Sequence, residues 1–138
     1  MRRILLVLGT VLVVSVLGCG PRSASVSGVV TLDGVPLTTG EVHFFPAAGD
    51  GQTAAANIGE DGRYKIAEAS PVKMKVVLHS SRVISKRVRY EGVPDSPIDE
   101  VREEVLPLRY SDMNQTELTA SLVAGENIVN FELKSGKK

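Results

Sequence analysis

A side-chain period of two runs through most of this chain, and any fold it adopts has to satisfy it. The period is plainest in Lys73-Met74-Lys75-Val76-Val77-Leu78-His79, where Met74, Val76 and Leu78 point one way and Lys73, Lys75 and His79 the other. Successive side chains of a strand leave opposite faces, so this alternation predicts a strand with one face in a core and one in water. The pattern recurs. It sets Val26, Val30 and Leu32 inward in the first strand, Val42 and Phe44 in Glu41–Pro46, and Tyr64 and Ile66 in Arg63–Ile66. Near the end it sets Leu118, Ala120 and Leu122 inward, then Val129, Phe131 and Leu133. Residues 53–58 alternate in small side chains and read as a further strand.

Turn chemistry punctuates these runs. Asp33-Gly34 is a strong hairpin signal, because both central positions of the favoured two-residue turn need positive φ. Thr38-Thr39-Gly40, Gly59-Glu60-Asp61-Gly62, residues 111–114 and residues 124–127 supply further turns. Pro46 ends its strand, since proline cannot donate to a ladder. About seven short strands with almost no helix predict an all-β protein, a seven-stranded antiparallel β-sandwich over residues 26–134 with a polar tail at 135–138. A mature chain of roughly 120 residues is long enough to bury such a core without staples.

Ser80 to Leu106 breaks the period and reads as an irregular insert, of the kind that is often functional or mobile, in which Val83-Ile84-Ser85 and Val88-Arg89-Tyr90 could extend a strand or form a loop with apolar anchors. Within it, Ser96-Pro97-Ile98-Asp99-Glu100-Val101 has the marks of a helix start: a cap, a proline in the first turn and acids after it. The basic run Arg82, Lys86, Arg87 and Arg89 reads as an ordinary exposed strand or loop, with contact to lipid headgroups as the alternative. The acids Asp95, Asp99, Glu100, Glu103 and Glu104 lack calcium-loop spacing and read as a solvated face.

The first eighteen residues follow a different logic. Met1-Arg2-Arg3 is a short positive start, Ile4–Leu17 is apolar apart from Gly9, Thr10 and Ser15, and Gly18-Cys19-Gly20-Pro21 ends the run. That is the layout of a secretory signal. The apolar run of about 15 residues is shorter than the roughly 20 a spanning helix needs. Cys19 is the only cysteine in the chain, so a disulfide within the chain is impossible. Val16-Leu17-Gly18-Cys19 resembles the lipobox of bacterial lipoproteins, with Val16 and Leu17 departing from the usual leucine and small residue. The resemblance implies cleavage between Gly18 and Cys19, a diacylglycerol thioether on Cys19 and acylation of the new amine with a palmitate-type chain. Several acyl chains hold a protein to a bilayer far better than one. The division expected is a signal at 1–18, a tether at 19–25 and the sandwich after it. The location expected is the cell envelope, at the periplasmic face or the outer membrane.

A second resemblance covers most of the mature chain. Val26-Ser27-Gly28-Val29-Val30, Asp33-Gly34-Val35-Pro36-Leu37 and Gly40-Glu41-Val42-His43-Phe44 look like the opening of transthyretin-like and carboxypeptidase-regulatory-like domains. Asp61-Gly62-Arg63-Tyr64 resembles their next strand. Leu106-Pro107, Tyr110 and Asn127–Leu133 resemble the ending of small transthyretin-like lipoproteins of planctomycete-type bacteria. Ala69–Met74 departs from the family's entry to the following strand. The resemblance implies a prealbumin-like sandwich, usually non-enzymatic, serving as a structural or adhesion module.

No catalytic set, cofactor site or metal site is legible. His43 and His79 sit at outward strand positions, without metal-ligand spacing. The chain closes on Ser135-Gly136-Lys137-Lys138, unlike the Y-R-G-S-type ending of transthyretin-related hydrolases. Lys and Arg number 16, as do Asp and Glu; without Arg2 and Arg3 the balance is 14 against 16. Near-neutrality and the absence of Trp argue against nucleic acid. The reading is a membrane-anchored, non-catalytic module with an envelope protein as its partner. A carbohydrate- or peptide-binding module is the alternative, with Phe45 and Tyr90 as the candidate aromatic contacts; an unrecognised enzyme ranks below both.

Overall fold

The computed structural model describes residues 23–136; the Gly18–Cys19 cut and the signal segment lie outside them. The described residues are all-β, with eleven strand segments and one four-residue helix, where the periodicity predicts seven strands. The count rises because Val35–Pro36 is extended, residues 80–106 hold two strands, and the turn expected at 124–127 is instead a strand, Gly125–Ile128.

The first sheet is built around β1 (Ala24–Leu32). On one side β1 pairs antiparallel with β5 (Arg63–Ala69) and, beyond it, with the two-residue β2 (Val35–Pro36). On the other side it pairs parallel with β10 (Gly125–Ile128) and β11 (Phe131–Leu133). The sheet is therefore mixed, and the expectation of purely antiparallel pairing is corrected here. A period of two marks a strand but carries no information on its direction. Asp33 and Gly34 take φ of 51° and 82° between β1 and β2, as the hairpin signal requires.

The second sheet has the order β4 (Ala54–Asn57), β3 (Glu41–Pro46), β6 (Lys73–His79), β9 (Thr119–Ser121), antiparallel throughout. Its inner face meets that of the first sheet across one core. Val26, Val30, Val42, Phe44, Met74, Val76 and Leu78 are fully buried. Phe44, from one sheet, lies 6.1 Å from Tyr64 and 6.2 Å from Phe131 on the other, centroid to centroid. Offset aromatic contacts at such distances add to the burial term. The helix α1 (Leu108–Ser111) runs into the turn predicted at 111–114 and packs against β6.

Residues 80–106 are not irregular. They form an antiparallel ribbon of β7 (Ser81–Val88) and β8 (Ile98–Glu104), and the helix expected at 96–101 is absent. The Ser96 hydroxyl accepts from the Tyr90 N–H at 2.8 Å, closing the ribbon's loop instead of capping a helix. Arg82 with Glu103, Lys86 with Glu100 and Arg89 with Asp99 pair across the two strands. Opposite charges placed across a pair favour the ladder. Arginine at Asp99 and at Glu100 holds both carboxyls below the usual range, chiefly through hydrogen bonds from Arg89 and Arg102. The basic and acidic runs thus neutralise each other.

The two ends of the body differ. At the near end, Ala24 pairs with Ala69 and the Gln52 N–H donates to the Ser70 hydroxyl. At the far end, the Gly59 N–H donates to the Arg63 carbonyl and Glu41 pairs with His79. Ser23 enters at the near end. The ribbon leaves from the far end, after Ser80, and Ser135 is fixed there by its hydrogen bonds to Asp33.

Candidate functional site

The antiparallel pairing of β3 with β6 brings the two histidines together. Glu41 stands opposite His79, which leaves His43 diagonal to it on the same outer face. The imidazole centroids are 5.9 Å apart, edge to face, and Phe45 stacks on the other side of His43 at 6.1 Å. The outer face of the four-stranded sheet thus carries a row of three rings. No spacing within the sequence shows this row, because it depends on which strand neighbours which.

Each histidine has a carboxylate. His43 Nε2 is 3.1 Å from Glu41 Oε2, and His79 Nδ1 is 3.4 Å from Glu104 Oε2. Glu104 is also the fastening of the ribbon. Its Oε1 accepts from the Ser80 N–H at 2.8 Å and from the Leu106 N–H at 3.2 Å. Both strands of the ribbon are thereby tied to one carboxylate at the root. The buried Ser80 hydroxyl donates to the Thr39 carbonyl at 2.8 Å, which ties the root to the loop before β3.

Between this root and the sheet lies a cleft of about 360 Å³, walled by Thr39, Gly40, Glu41, Asn57, His79, Arg102 and Glu104. Its lining is polar: two carboxylates, an amide and a guanidinium border it. Of its two acids, Glu104 orders backbone at the ribbon root, and Glu41 pairs with the His43 side chain. A second, more apolar groove of about 590 Å³ is lined by residues that include Val29, Ile58, Tyr64 and Ile128. Among the described residues, no group of three His, Cys, Asp or Glu side chains is placed to hold a metal ion. Among the same residues no helix is long and apolar enough to cross a membrane.

Of the residues singled out by sequence, Gly18 and Cys19 lie outside the described residues. Phe45 is half-buried in the ring row and pairs with Lys75 toward the near end. Tyr90 is exposed beyond the end of β7, so the two aromatic candidates belong to different regions. Glu104 was legible only as one of several acids; its role as a fastening depends on tertiary contacts. Compared with models of known protein families, with characterised proteins and with solved structures, the chain matches none.

Proposed function

We propose that this chain is a lipid-anchored protein of the bacterial cell envelope, and that its domain is a non-catalytic module for structure or protein interaction. The observation that carries the reading is Val16-Leu17-Gly18-Cys19 at the end of a short apolar run. The geometry of the body supports it. Cys19 is four residues before Ser23 and so within roughly 14 Å of the near end. An anchor there leaves the far end, with its ribbon, directed away from the bilayer. A prealbumin-like topology is the finer fold we assign, on the opening and closing motifs and on two facing sheets.

The test replaces Cys19 with Ala and follows labelled palmitate and membrane fractionation. The parent protein takes up label and sediments with membranes; the variant does neither. A variant that still matures and stays membrane-bound sinks the anchor.

A saccharide- or peptide-binding role is the second reading, and the row Phe45, His43 and His79 beside a polar cleft favours it. Rings beside hydroxyl-directed polar groups are a common way to hold such ligands. Glycan-array binding that survives in the parent and is lost in Phe45→Ala supports it; no binding in either rejects it.

A further inference from the structure

The ribbon is the part of the fold least used by its own chain. β7 and β8 pack almost only against each other, and a two-stranded ribbon by itself is marginally stable in water. Residues opposed in an antiparallel pair share a face. The register therefore sets Val88 with Ile98 and Lys86 with Glu100 on one face; Arg102 follows on that face at the root, where it walls the cleft against the body. Val88 and Ile98 are 52% and 62% exposed, an aliphatic pair left in water.

We propose that this face is a contact between two copies of the chain, stacked face to face about a two-fold axis running along the ribbon. Such an axis sets β7 of one copy over β8 of the other. Each rung then meets its own inverse. Val88 meets Ile98 of the partner subunit, and Lys86 meets Glu100 of the partner subunit, each contact occurring twice.

Charge selects a second copy as the occupant. Residues 81–104 hold five cations and six anions, so the ribbon offers no net field to a membrane or a nucleic acid. On this face the charge-complementary rung is Lys86 with Glu100, and a second copy in this register brings the opposite charge to each. The orientation rests on the lipid-anchor reading: two chains tethered at their near ends to one bilayer present their ribbons in the same direction. Size sets the strength. Seven residues at about 3.4 Å rise and two strands about 5 Å apart give a face of roughly 250 Å² per copy. That is far below the roughly 800 Å² per partner of a standard interface. The contact is weak between free molecules and depends on the raised effective concentration of a shared membrane.

The test uses full-length chains carrying two different tags, co-expressed in a bacterial envelope, crosslinked with formaldehyde and captured on one tag. Lys86→Glu alone and Glu100→Lys alone each set like charges across the contact, and each cuts co-capture by about tenfold. Lys86→Glu co-expressed with Glu100→Lys recovers it, because each chain carries the charge the other needs. Neither substitution repairs the other's own ribbon, so recovery on mixing reports contact between copies and not ribbon folding. Absent recovery, or absent co-capture of the parent chain, overturns the proposal. Palmitate labelling of the same samples separates the two readings. Label without co-capture overturns the ribbon contact and keeps the anchor, whereas recovery on mixing without label keeps the contact and overturns the anchor.

Discussion

The Tyr64 hydroxyl donates a 2.7 Å hydrogen bond to the carbonyl of Val129, across the core-facing surface of β1. This bond holds the point at which the strand beside β1 is interrupted. Register is kept through the break, with Ser27 opposite Ile128 before it and Val30 opposite Phe131 after it. Between them the Val129 carbonyl turns over Gly28, and the Asn130 side chain accepts from the Val29 N–H at 2.9 Å. One carbonyl leaves the ladder, and a phenol and an amide side chain make up the hydrogen bonds.

Gly28 should therefore tolerate no side chain. A β-carbon there would sit 1.8 Å from the Val129 oxygen, a backbone atom that cannot rotate away. Gly28→Ala is expected to cost about 3 kcal/mol or more, at the upper end of overpacking effects. Gly34→Ala is the comparison: nothing lies within 4 Å of its β-carbon, but its φ of 82° is strained for alanine, at roughly 1 kcal/mol. Urea denaturation of the two variants checks the ranking, and equal losses would refute the close approach.

Tyr64 sets an alkaline limit on the fold. Burial raises its phenol above the ordinary value near 10. A folded-state value raised above the unfolded one means stability that is complete below about pH 10 and is lost as pH rises beyond it. Tyr64→Phe should cost about 1–2 kcal/mol near neutral pH by leaving the Val129 carbonyl without this donor. The gap between parent and variant should then close above about pH 10. A gap that stays constant to pH 11 would show that the phenol ionises without penalty.

Glu104→Ala is expected to loosen the ribbon without unfolding the body. The substitution removes the acceptor shared by the Ser80 and Leu106 amides. Hydrogen exchange should accelerate across residues 80–106 and stay unchanged at Val42, Val76 and Phe131 in the core. Glu104→Gln keeps one carbonyl oxygen and should retain most of the protection. Uniform acceleration in the alanine variant would mean that the root belongs to the global folding unit.

The segment after β11 should release in acid. Hydrogen bonds from the Ser135 hydroxyl and amide hold the Asp33 carboxyl below its usual range. A depressed folded value means that the contact is fully present above the ordinary carboxylate range and is lost as pH falls below about 4. The Ser135 amide should lose its protection over that interval, and Asp33→Asn should flatten the response.

The inward residues of the sandwich were legible because a half-buried strand writes its own periodicity. Val26, Val42, Phe44, Met74, Val76 and Leu78 were all readable from one or two neighbours. Direction and pairing were not, since β1 looks the same whether its neighbour runs with it or against it. The ribbon escaped for a different reason. Both of its faces meet water, so no apolar alternation marks it, and its order comes from cross-strand charges such as Lys86 and Glu100 that are distant in sequence. The ring row and the Glu104 fastening were hidden likewise, because each joins residues that only the sheet order makes neighbours.

The parallel pairing of β1 with the strand of residues 125–133 has a mechanical consequence. Ser23 and Ser135 mark opposite ends of two adjacent strands that run the same way. Tension between those two points would make the strands slide along each other, loading their ladder hydrogen bonds together instead of one at a time. A molecule held at Ser23 and pulled from beyond Leu133 would resist as a shear joint resists, and its rupture force should be high for so small a domain.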